Sequence, residues 1–392
     1  MPSEFVTGLQ RELAEGLARV EARGRRRDLA EIAGVNLSSN DYLGLAENPA
    51  LKEATAAAVR ESPRAGGTGS RLLSGHSRVW DQLEQEFAEF AGTEAALYFG
   101  SGYVANLGLL TSLLRKDDLV FSDQLNHASL IDGIRLSGAQ KVIIPHLDLG
   151  SLERALLEHV RSRCRKIIVT ESVFSMDGDV ADIDALVRLA DRHGAGVLVD
   201  EAHATCVHGP AGRGMVAQAG HARNVIATIH TCGKALASAG AFVCGSATLR
   251  DHLINHARTF IFSTAMPPYM AGQIRAALRL AKRMDAERDS LRNGASEFAT
   301  ALRREGWDLA GSTSQIVPAI IGGDNHAVSA AEHLRQRGFF VRAIRPPTVP
   351  DGRARLRFSL TCRVGREELT RLRGALEEWR TRDATHTAVA RA

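Results

Sequence analysis

Residues 224–245 read NVIATIHTCGKALASAGAFVCG and enclose one lysine, Lys234. Val225, Ile226 and Ile229 read as a short buried strand, and Ala241, Phe242 and Val243 as another. The segment between them is too poor in long side chains to be ordinary core: Gly233, Gly240, Ser238 and several alanines leave open space around a single cation. A buried lysine without a partner tends to lose its charge or form a covalent bond. A desolvated, neutral amine is what Schiff-base chemistry with pyridoxal phosphate requires. From this stretch alone, a surface lysine in a Gly/Ala loop reads equally well.

Working outward, strands and helices alternate. Apolar runs at 95–99, 119–122, 141–145, 166–170 and 196–200 predict strands, separated by helical patterns near 103–114, 128–137, 150–160 and 183–193. Such alternation predicts an α/β fold with a mostly parallel central sheet covered by helices on both faces. Upstream, a helix is expected over 4–27, another over 48–62 and a third over 78–91, where Val79, Leu83, Phe87 and Phe90 share one face. Beyond residue 250 the pattern changes. Long helical stretches near 265–285 and 286–305 lead to strands at 315–321, 339–343 and 355–360, with helices at 326–337 and 366–380. The expected organisation is an N-terminal helical segment (1–45), a large cofactor-binding α/β domain (46–283), a smaller α+β domain (284–382) and a loose, polar tail (383–392).

Composition narrows the function classes. Of 392 residues, 44% are hydrophobic and 24% charged, as in ordinary globular proteins. The net charge of +4 has its densest cluster at Arg23, Arg25, Arg26 and Arg27 and forms no broad basic face, so neither a nucleic-acid nor a membrane partner is indicated. Five cysteines without CxxC pairing argue against a zinc site or a disulfide frame. The charged, amphipathic start MPSEFVTGLQRELAEG has no apolar core of a signal peptide, and no apolar run is long enough to span a membrane, so a cytoplasmic location is expected.

In open parallel sheets ligands sit at the carboxyl ends of the strands, where the βα loops converge. The unusual polar residues of this chain fall at those ends. Gly100-Ser101-Gly102-Tyr103 follows a strand and opens a helix, a phosphate cradle or simply a tight turn; a dinucleotide loop of G-x-G-x-x-G form needs glycine where Ala105 stands. Asp200-Glu201-Ala202-His203 ends another strand. A carboxylate there needs a cationic partner, which a pyridinium nitrogen supplies, and His203 would lie near the ring's phenolic oxygen. A helix cap with a solvent-facing histidine is the plainer alternative, and no third ligand at suitable spacing supports a metal. Thr170 to Asp179 offers small hydroxyls that also suit an ordinary turn, and His127 sits in a further βα loop. A nicotinamide-dependent dehydrogenase would account for the phosphate loop and the sheet, but not for Lys234 or Asp200.

Taken together, the motifs resemble the α-oxoamine synthases, pyridoxal-phosphate enzymes of aminotransferase fold type I. The resemblance is carried by SSNDYLGL (38–45), GTGSRLLSGH (67–76), FGSGYVAN (99–106), SDQLNHASLIDG (122–133), ESVFSMDGD (171–179), DEAHATCVHGPAGRG (200–214), TCGKAL (231–236), ARTFIFSTAMPP (257–268) and AIRPPTVP (343–350). It implies that Lys234 bonds covalently to pyridoxal phosphate, that Asp200 holds the pyridine nitrogen and His203 the phenolic oxygen, and that His127 stacks over the ring. Gly102, Tyr103, Ser175 and Thr231 would hold the cofactor, chiefly its phosphate. Ser263 and Thr264 are similar to a segment that reaches the phosphate of a neighbouring subunit, implying a homodimer with a shared site. Arg357 resembles the arginine that pairs with the substrate carboxylate, Arg345 and Thr348 lie on the substrate-side loop, and Arg27 is the candidate acyl-contacting arginine. Within the family, AIRPPTVP favours the member that condenses L-alanine with a pimeloyl thioester, on the way to biotin. Glycine C-acetyltransferase, which would use the same residues, is the alternative.

Overall fold

The computed structural model describes residues 4–160 and 162–389. Seven strands form the central sheet: β1 (Ala95–Phe99), β2 (Leu119–Asp123), β3 (Gln140–Ile144), β4 (Lys166–Glu171), β5 (Ala195–Asp200), β6 (Ala227–Thr231) and β7 (Ala241–Gly245). Their order is β1-β7-β6-β5-β4-β2-β3. Only β7 runs antiparallel, paired with both β1 and β6. The carboxyl ends of the other six therefore share one edge. Side chains alternate between the two faces as the pleat demands. Ile167, Val169 and Leu198 enter one core cluster, while Ile168, Val197 and Val199 enter another.

A second, antiparallel sheet holds β8 (Ile316–Gly322), β9 (Ala343–Ile344) and β10 (Ala354–Ser359), in the order β9-β10-β8. Helices Asp285–Arg304, Asp324–Gln336 and Arg366–Val389 accompany it. The N-terminal segment is tied to this part of the chain. Val35–Asn36 pairs in parallel with Phe339–Phe340, Ser359 N donates to Leu37 O at 2.8 Å, and Cys362 N donates to Tyr42 O at 2.9 Å. Asn40 and Tyr42 are thereby carried to the edge where β10 meets the large sheet.

Several boundaries differ from the sequence reading. The strand before Lys234 spans 227–231, two residues later than its apolar onset. The first helix stops at Ala22 rather than 27, because Gly24 takes a left-handed conformation (φ 64°). The single strand expected over 339–343 is two short ones in different sheets. The last helix continues to Val389, through most of the expected tail, and 390–392 lie outside the described residues. No described helix is long and apolar enough to cross a membrane.

Candidate active site

Lys234 lies three residues beyond β6, in a loop closed on itself. Cys232 N donates to Gly240 O (2.8 Å), Ser238 N to Cys232 O (2.9 Å) and Ala237 N to Lys234 O (2.9 Å). Gly240 has φ 90°, and a Cβ there would fall 2.1 Å from the Tyr98 hydroxyl, so both conformation and space demand glycine. Burial pushes the Lys234 amine below its ordinary value; the carboxylates of Asp200 and Glu171 oppose this, and Arg357 adds to it. Its nearest protein partner is Thr231 Oγ1 at 3.5 Å. Across from Thr231, the helix Gly102–Leu113 begins, with Ser101 as its N-cap. A Cβ on Gly102 would meet Thr231 Cγ2 at 2.7 Å, so only hydrogen fits, and the free N–H groups of the first turn stand open beside it.

Asp200 closes β5 and is buried. Its oxygens accept from Asn106 Nδ2 (2.8 Å) and Ala202 N (2.9 Å), both neutral donors, and it forms no ion pair among the described residues. Asn106 Nδ2 also donates to Ser129 Oγ (2.9 Å), and Ser129 Oγ meets His127 Nδ1 at 2.7 Å. His127 caps the helix Ala128–Ser137, and its own N–H donates to Glu171 at 2.7 Å. Glu171 stands beside Asp200 in the register of β4 and β5. Burial, with Asp200 adding repulsion, pushes the Glu171 carboxyl well above the usual range. Burial also lowers His127; Asp200 opposes that shift and Lys234 reinforces it.

His203 is buried, three residues after Asp200. Burial, and then the charges of Lys234, Arg357 and His127, drive it well below its ordinary value, so the ring is neutral. Its Nδ1 meets the Tyr42 hydroxyl at 2.6 Å. Tyr42 adjoins Asn40, whose Oδ1 accepts from both terminal nitrogens of Arg357 at 3.3 Å. Arg357, at the centre of β10, also donates to Ser359 Oγ (2.5 Å) and to the carbonyl of Ser175. The Ser175 loop is closed by a bridge between Val173 and Val180. Its backbone thus braces Arg357.

The remaining expected residues fall in three places. Tyr103 is 42% exposed, bonded to Asp132, and edge-on to His127 with ring centroids 6.4 Å apart. Ser263 and Thr264 are exposed in this chain, where Thr264 bridges to Ser70. Arg27, Arg345 and Thr348 form a separate group on the N-terminal side: Arg27 Nη2 lies 3.5 Å from Thr348 Oγ1, and Arg345 donates to the carbonyls of Gly24 and Arg26. The last two bonds make Arg345 a brace for the turn after the first helix.

Lys234, Thr231, Gly102, Asp200, His127, His203 and Arg357 therefore converge at one sheet edge. Pyridoxal phosphate fits them. The buried Asp200 carboxylate has only neutral donors and calls for a cation such as a pyridinium; the buried, lowered Lys234 amine suits an aldehyde; the Gly102 turn suits a phosphate. The chain matches the aminotransferase class I and II family over residues 32–376. It is 44% identical over 383 residues to 8-amino-7-oxononanoate synthase of Geobacter sulfurreducens, covering 94% of this chain and 97% of that one. The chain belongs to the class I and II aminotransferase family, among its 8-amino-7-oxononanoate synthases. It is a pyridoxal-phosphate-dependent acyltransferase of biotin biosynthesis. The like-named protein of Gluconacetobacter diazotrophicus is 45% identical, with 90% of this chain and 89% of the relative covered. Among solved structures, serine palmitoyltransferase of Sphingomonas wittichii superposes with a TM-score of 0.87 at 28% identity, covering 96% and 98% of the two chains. An 8-amino-7-oxononanoate synthase of Francisella tularensis does so at 0.78 and 28%, covering 90% and 99%. Membership of this family sets aside the dehydrogenase reading.

Asn106, Ser129, Glu171, Tyr42 and Asn40 are the site residues that the sequence motifs did not single out. A signal existed for the first: Asn106 stands one helical turn from Gly102, on the same face, within an otherwise apolar stretch.

Proposed function

We propose that the enzyme condenses L-alanine with a pimeloyl thioester, forming 8-amino-7-oxononanoate and releasing CO2 and the free thiol. The observation that carries the proposal is the buried amine of Lys234, held below its ordinary value, set between Asp200 and the braced guanidinium of Arg357. Lys234, Asp200, His203 and His127, with Gly102, Tyr103, Ser175 and Thr231, would hold the cofactor. Bound there, pyridoxal phosphate supplies a carbonyl that captures the amino group and a protonated ring that accepts electrons from the α-carbon. The residues of the chain do the rest. Arg357 pairs with the carboxylate of the amino acid, a planar recognition that fixes which α-substituent faces Lys234. Lys234, its amine lowered by burial, would take the α-proton and later return one. Asp200 would keep the ring nitrogen protonated, and neutral His203 would donate toward the phenolic oxygen.

The neighbouring subunit would supply Ser263 and Thr264 to the phosphate side, which makes the working unit a homodimer. Arg27, beside Thr348, would meet the acyl chain from the N-terminal side. Support for alanine and pimeloyl comes from the name shared by relatives at 41–46% identity. Product analysis with alanine plus pimeloyl-CoA against glycine plus acetyl-CoA tests it. Turnover with the second pair alone would transfer the assignment to glycine C-acetyltransferase.

A further inference from the structure

We propose that Asn106 is a positioning residue that, through Ser129, transmits the acceptor character of Asp200 to His127 and thereby fixes the proton of neutral His127 on Nε2. The first bond has one permitted direction, and the backbone settles the last. A carboxylate can only accept, so the Asn106 atom 2.8 Å from Asp200 Oδ2 is the nitrogen. The same nitrogen lies 2.9 Å from Ser129 Oγ and donates its second N–H to that oxygen. With its hydroxyl already an acceptor, Ser129 turns its own O–H to the remaining neighbour, His127 Nδ1, at 2.7 Å. The backbone supplies an independent check: Ser129 N–H also points at His127 Nδ1, at 3.2 Å. Two donors aimed at one ring nitrogen leave it no proton. The proton of the neutral ring therefore sits on Nε2, which has no protein partner among the described residues.

Asn106 gives up something for this role. Its Oδ1 is buried and has no hydrogen-bond partner. A flipped amide would set oxygen against the Asp200 carboxylate, so the orphan is the cost of offering both N–H groups. Four groups act on His127 besides Ser129. Glu171 accepts from its backbone N–H, Asp200 and Lys234 act through their charges, and Tyr103 packs edge-on. None of these bonds to its Nδ1. The tautomer is thus set by Asn106 and Ser129 rather than by the surroundings at large.

The inference rests on His127 and Asp200 belonging to the active site, and its test needs no substrate. In holoenzyme labelled with 15N-histidine, the His127 signals are assigned by their loss in His127→Gln. Wild type should show a single neutral tautomer with Nδ1 unprotonated. Ser129→Ala and Asn106→Leu should each raise the Nδ1-protonated share by about threefold to tenfold and shift the His127 titration midpoint up by about half to one pH unit. A purely structural role for Asn106 would lower thermal stability and leave both readouts in place. Nδ1 protonated in wild type, or an unchanged tautomer ratio in Ser129→Ala, overturns the relay; that variant decides alone if Asn106→Leu does not fold. Failure of the alanine and pimeloyl-CoA assay with the His127 signature intact would instead count against the substrate reading.

Discussion

Tyr42 and His203 meet inside the protein, hydroxyl to Nδ1 at 2.6 Å, although 161 residues separate them in the chain. The hydroxyl has one proton and two acceptors within reach, while Gln315 and Arg357 approach it as donors. Asn40 Oδ1, the second acceptor at 3.2 Å, already accepts from Arg357 and Ser359. The proton goes to His203, which then carries its own on Nε2, the arrangement that the proposed contact to the cofactor's phenolic oxygen would need. Tyr42→Phe should fold and still take up pyridoxal phosphate, but hold it about threefold to tenfold less tightly in equilibrium dialysis. Retention equal to wild type would mean that the tautomer of His203 is set elsewhere.

The Gly102 turn makes a sharper demand. A methyl group there would stand 2.7 Å from Thr231 Cγ2, closer than packed carbons approach, and it would intrude where the phosphate is expected. Gly102→Ala should leave far-UV circular dichroism unchanged and lower cofactor affinity by about tenfold or more. Thr231→Ser removes the clashing methyl but not the one in the turn, so the double variant should regain thermal stability while the affinity loss remains. A Gly102→Ala enzyme that loads normally would remove the phosphate from this turn.

His146 links the end of β2 to the loop after β4 through carboxylates, with Nδ1 2.8 Å from Asp123 Oδ1 and Nε2 2.7 Å from Asp179 Oδ2. Burial alone would lower its value, but hydrogen bonds and charge from both aspartates raise it to about 10 from an ordinary 6.5. A group raised on folding contributes its full stabilisation below the unfolded value. That contribution fades as pH rises from about 6.5 toward 10. Wild type should therefore exceed His146→Gln in stability by on the order of a few kcal/mol near pH 6, with the gap closing by pH 10. Thermal unfolding across that range measures it. A gap that stays constant with pH would show that the contact contributes packing rather than charge.

These tests fall mainly on residues that the sequence did not single out, and the reason is physical. Lys234, Asp200, His203 and His127 were legible because each is a reactive residue type at the end of an apolar run, where a βα loop must open onto the sheet edge. The alternation of β2, β4 and β5 with helices was legible for the same local reason. Asn106, Tyr42 and Asn40 carry ordinary side chains whose roles come from partners 94, 161 and 317 residues away, and such pairings leave no periodic trace. The antiparallel direction of β7 is likewise a property of its neighbours. Arg345 shows the converse: a motif residue whose guanidinium, in this structure, holds backbone carbonyls of the N-terminal turn.

Arg357 offers the most direct probe of substrate recognition. Its guanidinium is fixed from three sides, by the Ser175 carbonyl at Nε, by Ser359 Oγ at 2.5 Å and by Asn40 Oδ1 at 3.3 Å from both terminal nitrogens. A carboxylate pairing with both terminal nitrogens would have to take the place of the long contacts to Asn40 Oδ1, and the lysine ammonium, a point charge on a flexible stem, can reproduce neither the brace nor the paired bonds. Arg357→Lys keeps the positive charge, so any loss reports geometry. Alanine binding, followed by the change in holoenzyme absorbance on titration, should weaken by about tenfold to hundredfold, as expected for losing a charge-assisted bond. Pyridoxal phosphate content should stay near wild type, because Lys234 and Asp200 are untouched. Unaltered alanine affinity alongside depressed turnover would place Arg357 in a step after binding and leave the substrate carboxylate to another group.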